Sequence, residues 1–285
     1  MSLPRVLVTG GGGLVGSAVV RRLLNVGHPV TMISRSSQTA PEGVRVVRGD
    51  IRDPDVVTAA LADVDAVAHL AGIPNAWDAA PEQVFANNAE ATFTLLWRAA
   101  EAGVRRFAVA GSVNATGLIM NPRRHLPDRF PVDERTIGEI ADPYSLSKRV
   151  DELTAEAVAA RFAATIVVLR LPLVVPPADA EGLLAYQAER SAQCAGDGWG
   201  WLDSRDAAEA FRLALTRPLS GCHTLQVAAK TVFSTTPTEE LIRTFAPGVQ
   251  RATAYPGRTA PIDTTLAERI LGFVPRYDEP GQEDS

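Results

Sequence analysis

The chain has 285 residues, of which 46% are hydrophobic and 21% charged, and a formal net charge of −5. That balance fits a soluble globular protein with a full core, built as one large domain or two small ones. It excludes a nucleic-acid partner, which needs a basic surface, and no apolar run is long enough to span a bilayer.

The first 170 residues alternate β-rich runs with helical patterns. Residues 5–9 read as a buried strand, 14–26 as a helix stopped by Gly27, and 30–34 and 44–48 as two more strands. Asp53-Pro54 supplies an N-cap with proline at N1. Residues 66–70 form a fourth strand, 81–102 a long helix ended by Gly103, and 106–110 a fifth strand. Asp142-Pro143 repeats the cap for a helix to about 161, followed by a sixth strand at 165–170. This rhythm means an α/β fold, a doubly wound Rossmann parallel sheet covered on both faces. Beyond Pro172 it changes. Residues 171–177 break regular structure, 203–216 read as a helix and 224–228 as a strand. Thr236-Pro237-Thr238-Glu239 looks like a capping box, and Asp263 caps a last helix that stops at Gly272. The expected organisation is a dinucleotide-binding domain over residues 1–175 and a small C-terminal α/β substrate subdomain over 176–285, interleaved into one compact unit.

Between the first strand and first helix lies Thr9-Gly10-Gly11-Gly12-Gly13-Leu14-Val15-Gly16. A tight strand-to-helix turn needs residues that tolerate positive φ, and a diphosphate reaches the backbone only where no Cβ intervenes. The helix N-terminus adds unpaired N–H groups and partial positive charge. In this βαβ context the turn predicts a dinucleotide site. At the end of the second strand, where a carboxylate would take the ribose hydroxyls of NAD, stand Ser34-Arg35-Ser36. A guanidinium there suits the 2′-phosphate of NADP, with NAD as the alternative.

Further marks follow in order: Gly49-Asp50-Ile51-Arg52-Asp53, His69-Leu70-Ala71-Gly72, Asn88, Ser112-x-x-x-x-Gly117 and Tyr144-Ser-Leu-Ser-Lys148. With these the chain resembles the extended short-chain dehydrogenase/reductases, the NAD-dependent epimerase/dehydratase family. The resemblance implies Ser112, Tyr144 and Lys148 as the catalytic group. It implies that Asp50 and Ile51 hold the adenine, that Leu70, Ala71 and Gly72 line the cofactor with Asn88 and Pro172 beside it, and that Lys148 reaches the nicotinamide ribose. A homodimer through the helices at 81–102 and 143–161 is also implied. The chemistry agrees. Tyr144 and Lys148 lie four apart on one helix and share a face. A free phenol near pKa 10 is too weak a base at neutral pH, and a neighbouring ammonium favours its ionised form. Ser112 can hydrogen-bond the substrate oxygen as charge develops.

The pattern also departs from the nucleotide-sugar epimerases. Thr116 stands where the family usually has tyrosine, Leu173 where those epimerases commonly carry an asparagine, and little chain follows Pro177 to wrap a nucleotide. Asn114 in the serine loop, a candidate substrate contact, and the compact C-terminal part look more like the uronate-dehydrogenase branch, which oxidises free sugar acids. Arg123-Arg124-His125 could attract an anion at the pocket mouth, while His69 reads as a structural histidine and Trp199 and Trp201 as core or pocket wall. Cys194 and Cys222 lack any metal-binding spacing, so reduced thiols in a cytoplasmic protein and no metal site are expected. The strand pattern starting at Arg5 leaves no room for a secretory leader. The expected function is an NAD(P)-dependent oxidoreductase interconverting a secondary alcohol and a ketone on a small polar molecule: a sugar, a sugar acid or a biosynthetic intermediate. An epimerase or dehydratase that holds its NAD tightly is the alternative. A nicotinamide-sensing protein is a third; such sensors usually lack the tyrosine or the lysine, and this chain has both.

Overall fold

The computed structural model describes residues 3–35 and 40–283. In chain order its strands are β1 (Val6–Thr9), β2 (Val30–Ser34), β3 (Arg45–Arg48), β4 (Ala66–His69), β5 (Arg106–Ser112) and β6 (Arg129–Phe130). They continue with β7 (Thr165–Leu171), β8 (Leu173–Val175), β9 (Trp201–Asp203), β10 (Cys222–Gln226) and β11 (Gln250–Arg251). The helices are α1 (Leu14–Asn25), α2 (Pro54–Ala60), α3 (Pro81–Glu101), α4 (Pro143–Phe162) and α5 (Ala180–Glu189). After them come α6 (Ser191–Cys194), α7 (Ser204–Thr216), α8 (Thr238–Phe245) and α9 (Thr265–Leu271).

Seven strands form a parallel sheet in the order β10-β7-β5-β4-β1-β2-β3. The inner strands β1, β4 and β7 are buried along their whole lengths, which is why they read as mostly apolar runs. Alternate residues then serve opposite faces. Val6 and Val8 pack with Val19 and Leu23 of α1 and Phe211 of α7. Leu7 and Val67 pack on the other side with Leu95 of α3 and Val158 of α4. At the outer edge β3 is bounded by exposed Arg45 and Arg48, charges that discourage pairing with another chain.

Of the three helices that start on proline, α2 and α4 carry the side-chain caps the sequence predicts, and α3, preceded by Ala80, has none. Asp53 accepts from the Asp55 N–H at 2.9 Å and Asp142 from the Ser145 N–H at 2.8 Å. The C-terminal part differs in three places. The strand expected at 224–228 is β10, two residues earlier, and it pairs with β7 at the edge of the main sheet. Residues 171–177 are not uniformly irregular: Pro172, which has no N–H, ends β7, and the chain resumes as β8 against β9. The capping box at Thr236 does not form. Pro237 is the N-cap of α8, and the Glu239 carboxylate turns instead to the Tyr255 N–H at 2.8 Å and to Arg251. A separate cluster around Phe130, Trp199, Leu241 and Tyr255 joins these late elements, so residues 176–285 both complete the sheet and build the mass above its carboxyl end.

Candidate active site

β1, β4, β5 and β7 all end at one side of the sheet, and a cleft of about 850 Å³ opens there. Its inner end is the glycine turn. Gly10 has φ of +69°, and a Cβ on it would sit 2.7 Å from the Leu70 carbonyl and the Ala71 nitrogen. A Cβ on Gly16 would lie 2.0 Å from the Gly10 oxygen. Neither position admits a side chain. No side chain caps the start of α1 and its first turn holds no acid, so its N–H groups face the cleft as an anion cradle. The turn, the helix start and the cleft volume fit a dinucleotide.

Behind this wall are residues that shape it. Thr9 Oγ1 accepts from the Leu70 and Ala71 N–H groups, both at 3.2 Å, and meets His69 Nδ1 at 2.8 Å. Thr9 therefore pins the end of β4 to β1 and is buried beneath the turn. Asn88 is buried too. Its Oδ1 accepts from the Ile73 N–H at 2.7 Å, and its Nδ2 donates to the Ile73 carbonyl and to Ser147 Oγ. The side chain is spent on holding the loop after β4, whose Leu70 and Gly72 line the cleft. His69, bonded at both ring nitrogens, is the structural histidine expected. Burial and the Lys148 charge push its pKa down to about 3, which keeps it neutral.

The Asp50 carboxylate is taken by Arg52, which holds its pKa down at about 2. Ile51 is buried beside it and Arg35 is exposed at the end of β2, after Ser34. Ser36 lies outside the described residues.

Past the turn the cleft meets Ser112, Tyr144 and Lys148. Ser112 closes β5. Its Oγ accepts from the backbone N–H and the side-chain amide of Asn114, at 3.1 and 3.2 Å, leaving its own O–H free to donate toward the cleft. Asn114 lines the same wall with its Oδ1 buried and unpartnered. The Asp142 cap sets Tyr144 in the first turn of α4, and Lys148 Nζ stands 6.0 Å from the centre of its ring. Lys148 donates to the Ala110 carbonyl at 3.1 Å and to Asp151 at 3.0 Å.

The outer end adds stretches the sequence did not single out. Leu118, Ile119 and Met120 line it with Tyr186 and Arg190, and Pro172 and Leu173, both noted in the sequence, line the same cleft. Of the basic run, Arg124 and His125 line the cleft, His125 also lying 3.4 Å from the Glu139 carboxylate, whereas Arg123 is paired with Glu139 and does not line it. Trp199 and Trp201 are core. Asp197 also lines this end, and burial, against backbone N–H bonds from Gly200 and Trp199, pushes its pKa up to about 7. Burial pushes both thiols, Cys194 and Cys222, up to about 12, so neither is a poised nucleophile. Among the described residues no His, Cys, Asp or Glu cluster could hold a metal, and no helix is long and apolar enough to cross a membrane.

The model of the NAD dependent epimerase/dehydratase family matches residues 6–228. A 2-alkyl-3-oxoalkanoate reductase of Stenotrophomonas maltophilia is 30% identical over 97% of this chain and 86% of its own length. A UDP-glucose 4-epimerase of Streptomyces lividans is 32% identical over 54% of the chain, which spans 48% of that relative. A solved short-chain dehydrogenase/reductase superfamily protein from Agrobacterium tumefaciens, with bound NAD, shares the fold. It superposes with a TM-score of 0.72 over 96% of this chain and 93% of that one, at 23% identity. Matched over most of its length, from β1 to just past β10, the chain is an enzyme of the NAD dependent epimerase/dehydratase family.

Proposed function

We propose that the chain is an NADP-preferring oxidoreductase that interconverts a ketone and a secondary alcohol, with Tyr144 as its acid and base. One observation carries this reading: Ser112, Tyr144 and Lys148 line the same cleft as the glycine turn. The nicotinamide, when bound, supplies or takes the hydride. In the reductive direction the Tyr144 hydroxyl delivers a proton to the carbonyl oxygen, and the Ser112 hydroxyl donates to that oxygen as it gains charge. The Lys148 ammonium steadies the phenolate left behind and would hold the cofactor ribose. Arg35 supports the choice of NADP, because it can grip a 2′-phosphate.

The outer cleft refines the substrate. Leu118, Ile119 and Met120 offer apolar surface, and Arg124 and Arg190 stand among them. An oxo acid carrying a hydrocarbon portion suits that mixture better than a neutral sugar, and the reductase from Stenotrophomonas maltophilia is named for such a substrate. The separated, inert thiols fit a reducing compartment such as the cytoplasm. Exposed Phe93 on α3 with Leu146 and Leu153 on α4 supports a homodimer through those helices.

The second reading is an epimerase, favoured by the likeness to UDP-glucose 4-epimerase. It would use the same three side chains and return the hydride to the same substrate. Following nicotinamide absorbance with an oxo acid separates the two: net consumption is expected, and turnover without consumption would favour the epimerase. Tyr144→Phe should lower the rate by about 100- to 10,000-fold while cofactor affinity stays the same. A variant that turns over normally would remove the mechanism.

A further inference from the structure

Lys148 is 7% exposed, and a dry site disfavours a charged amine. Asp151 answers that penalty. It lies one turn further along α4, is fully buried, and its Oδ2 accepts from Lys148 Nζ at 3.0 Å. The Ala110 carbonyl accepts a second N–H. An ammonium has three donors, so this pairing leaves one for the cleft that Lys148 lines.

The other groups around the pair come from three elements. On β4, His69 is neutral. On α3, the Thr92 hydroxyl meets His69 Nε2 at 3.0 Å and approaches the Asp151 carboxylate, whose Oδ1 has no hydrogen-bond partner. On α4 itself, Tyr144 faces Lys148, and Glu152 neighbours Asp151. The Glu152 charge is already matched by Arg170 at 2.7 Å and Arg149 at 2.6 Å. Among the described residues Asp151 is thus the carboxylate in contact with the ammonium.

We propose that Asp151 is a positioning residue: its carboxylate anchors Lys148 and holds it in the charged form beside Tyr144. The catalytic consequence rests on the Tyr144 reading, whereas the pairing itself does not. Burial pulls the lysine down, but the charges of Asp151 and Tyr144 overcome it and leave its pKa above the ordinary value. Without Asp151 burial prevails, and Lys148 loses its proton at a lower pH.

The chain has two lysines, Lys148 and Lys230, so protein labelled with 13C at the lysine ε-carbon gives two signals, assigned through Lys230→Arg. The Lys148 midpoint should lie above the ordinary lysine value of about 10.4 in the wild type. In Asp151→Asn, nearly the same size and without the charge, it should fall by at least about one pH unit. Turnover of that variant should then decline as pH rises through the new midpoint, where the wild type holds its rate. Equal midpoints in the two proteins would overturn the proposal. Should Asp151→Asn fail to fold, a wild-type midpoint at or below the ordinary value would overturn it alone. Both outcomes are separable from the Tyr144→Phe result, because a lysine midpoint is read without turnover.

Discussion

The two ends of the cleft are made of different material. The cofactor end is backbone: Gly10 and Gly16 leave no space for a Cβ, and the start of α1 presents bare N–H groups. The other end, where a substrate is proposed to sit, is side chains, drawn from the loop after β5 and from the segment between Tyr186 and Asp197. A backbone site constrains sequence severely and accepts one class of ligand. A side-chain site can be rewritten by substitution without disturbing the sheet, which is how one fold serves several reactions.

That contrast can be broken at its strong end first. Gly16→Ala would drive a methyl into the Gly10 carbonyl, 2.0 Å away, and the turn must open. Calorimetry should find cofactor affinity reduced on the order of 100-fold or more, about 3 kcal/mol. Normal binding would mean that the cofactor sits elsewhere. A smaller effect is expected at the outer end. The Asp197 carboxyl, with its pKa raised to about 7, is neutral below that pH and anionic above it. For an acidic substrate KM should therefore rise several-fold, up to about tenfold, as pH passes through 7. In Asp197→Asn the KM profile across that window should be flat; a retained pH dependence would exclude Asp197 from the substrate end. Least of all should Arg35→Ala matter. It should raise the Kd for NADP about 3- to 10-fold and leave that for NAD unchanged, and an equal loss for both would remove the preference.

The same contrast explains what could be read from the residues. Glycine spacing, capped helix starts and apolar strand runs are local consequences of backbone geometry, so β1 to β5, β7 and the glycine turn were legible, while the two-residue β6 was not. That Ser112, Tyr144 and Lys148 share one cleft was legible through the motifs that carry the family resemblance. Asp151 was not: an acid one turn beyond a lysine looks like any solvated helix pair until burial is known. Leu118 to Met120, Arg190 and Asp197 were missed because tertiary folding alone brings those stretches together. Thr236 misled because its signature is local, while Glu239 found a better partner in the Tyr255 N–H.

The place of β10 has a consequence for how the protein is made. β7 lies against β5 on one side and β10 on the other, and β10 is synthesised roughly 50 residues later. A nascent chain emerging from the ribosome therefore carries a long strand, apolar from Ile166 to Leu169 and buried throughout in the finished fold, with an open flank until that distant segment arrives. Truncations ending near residue 175 would make this exposure permanent and should aggregate when expressed.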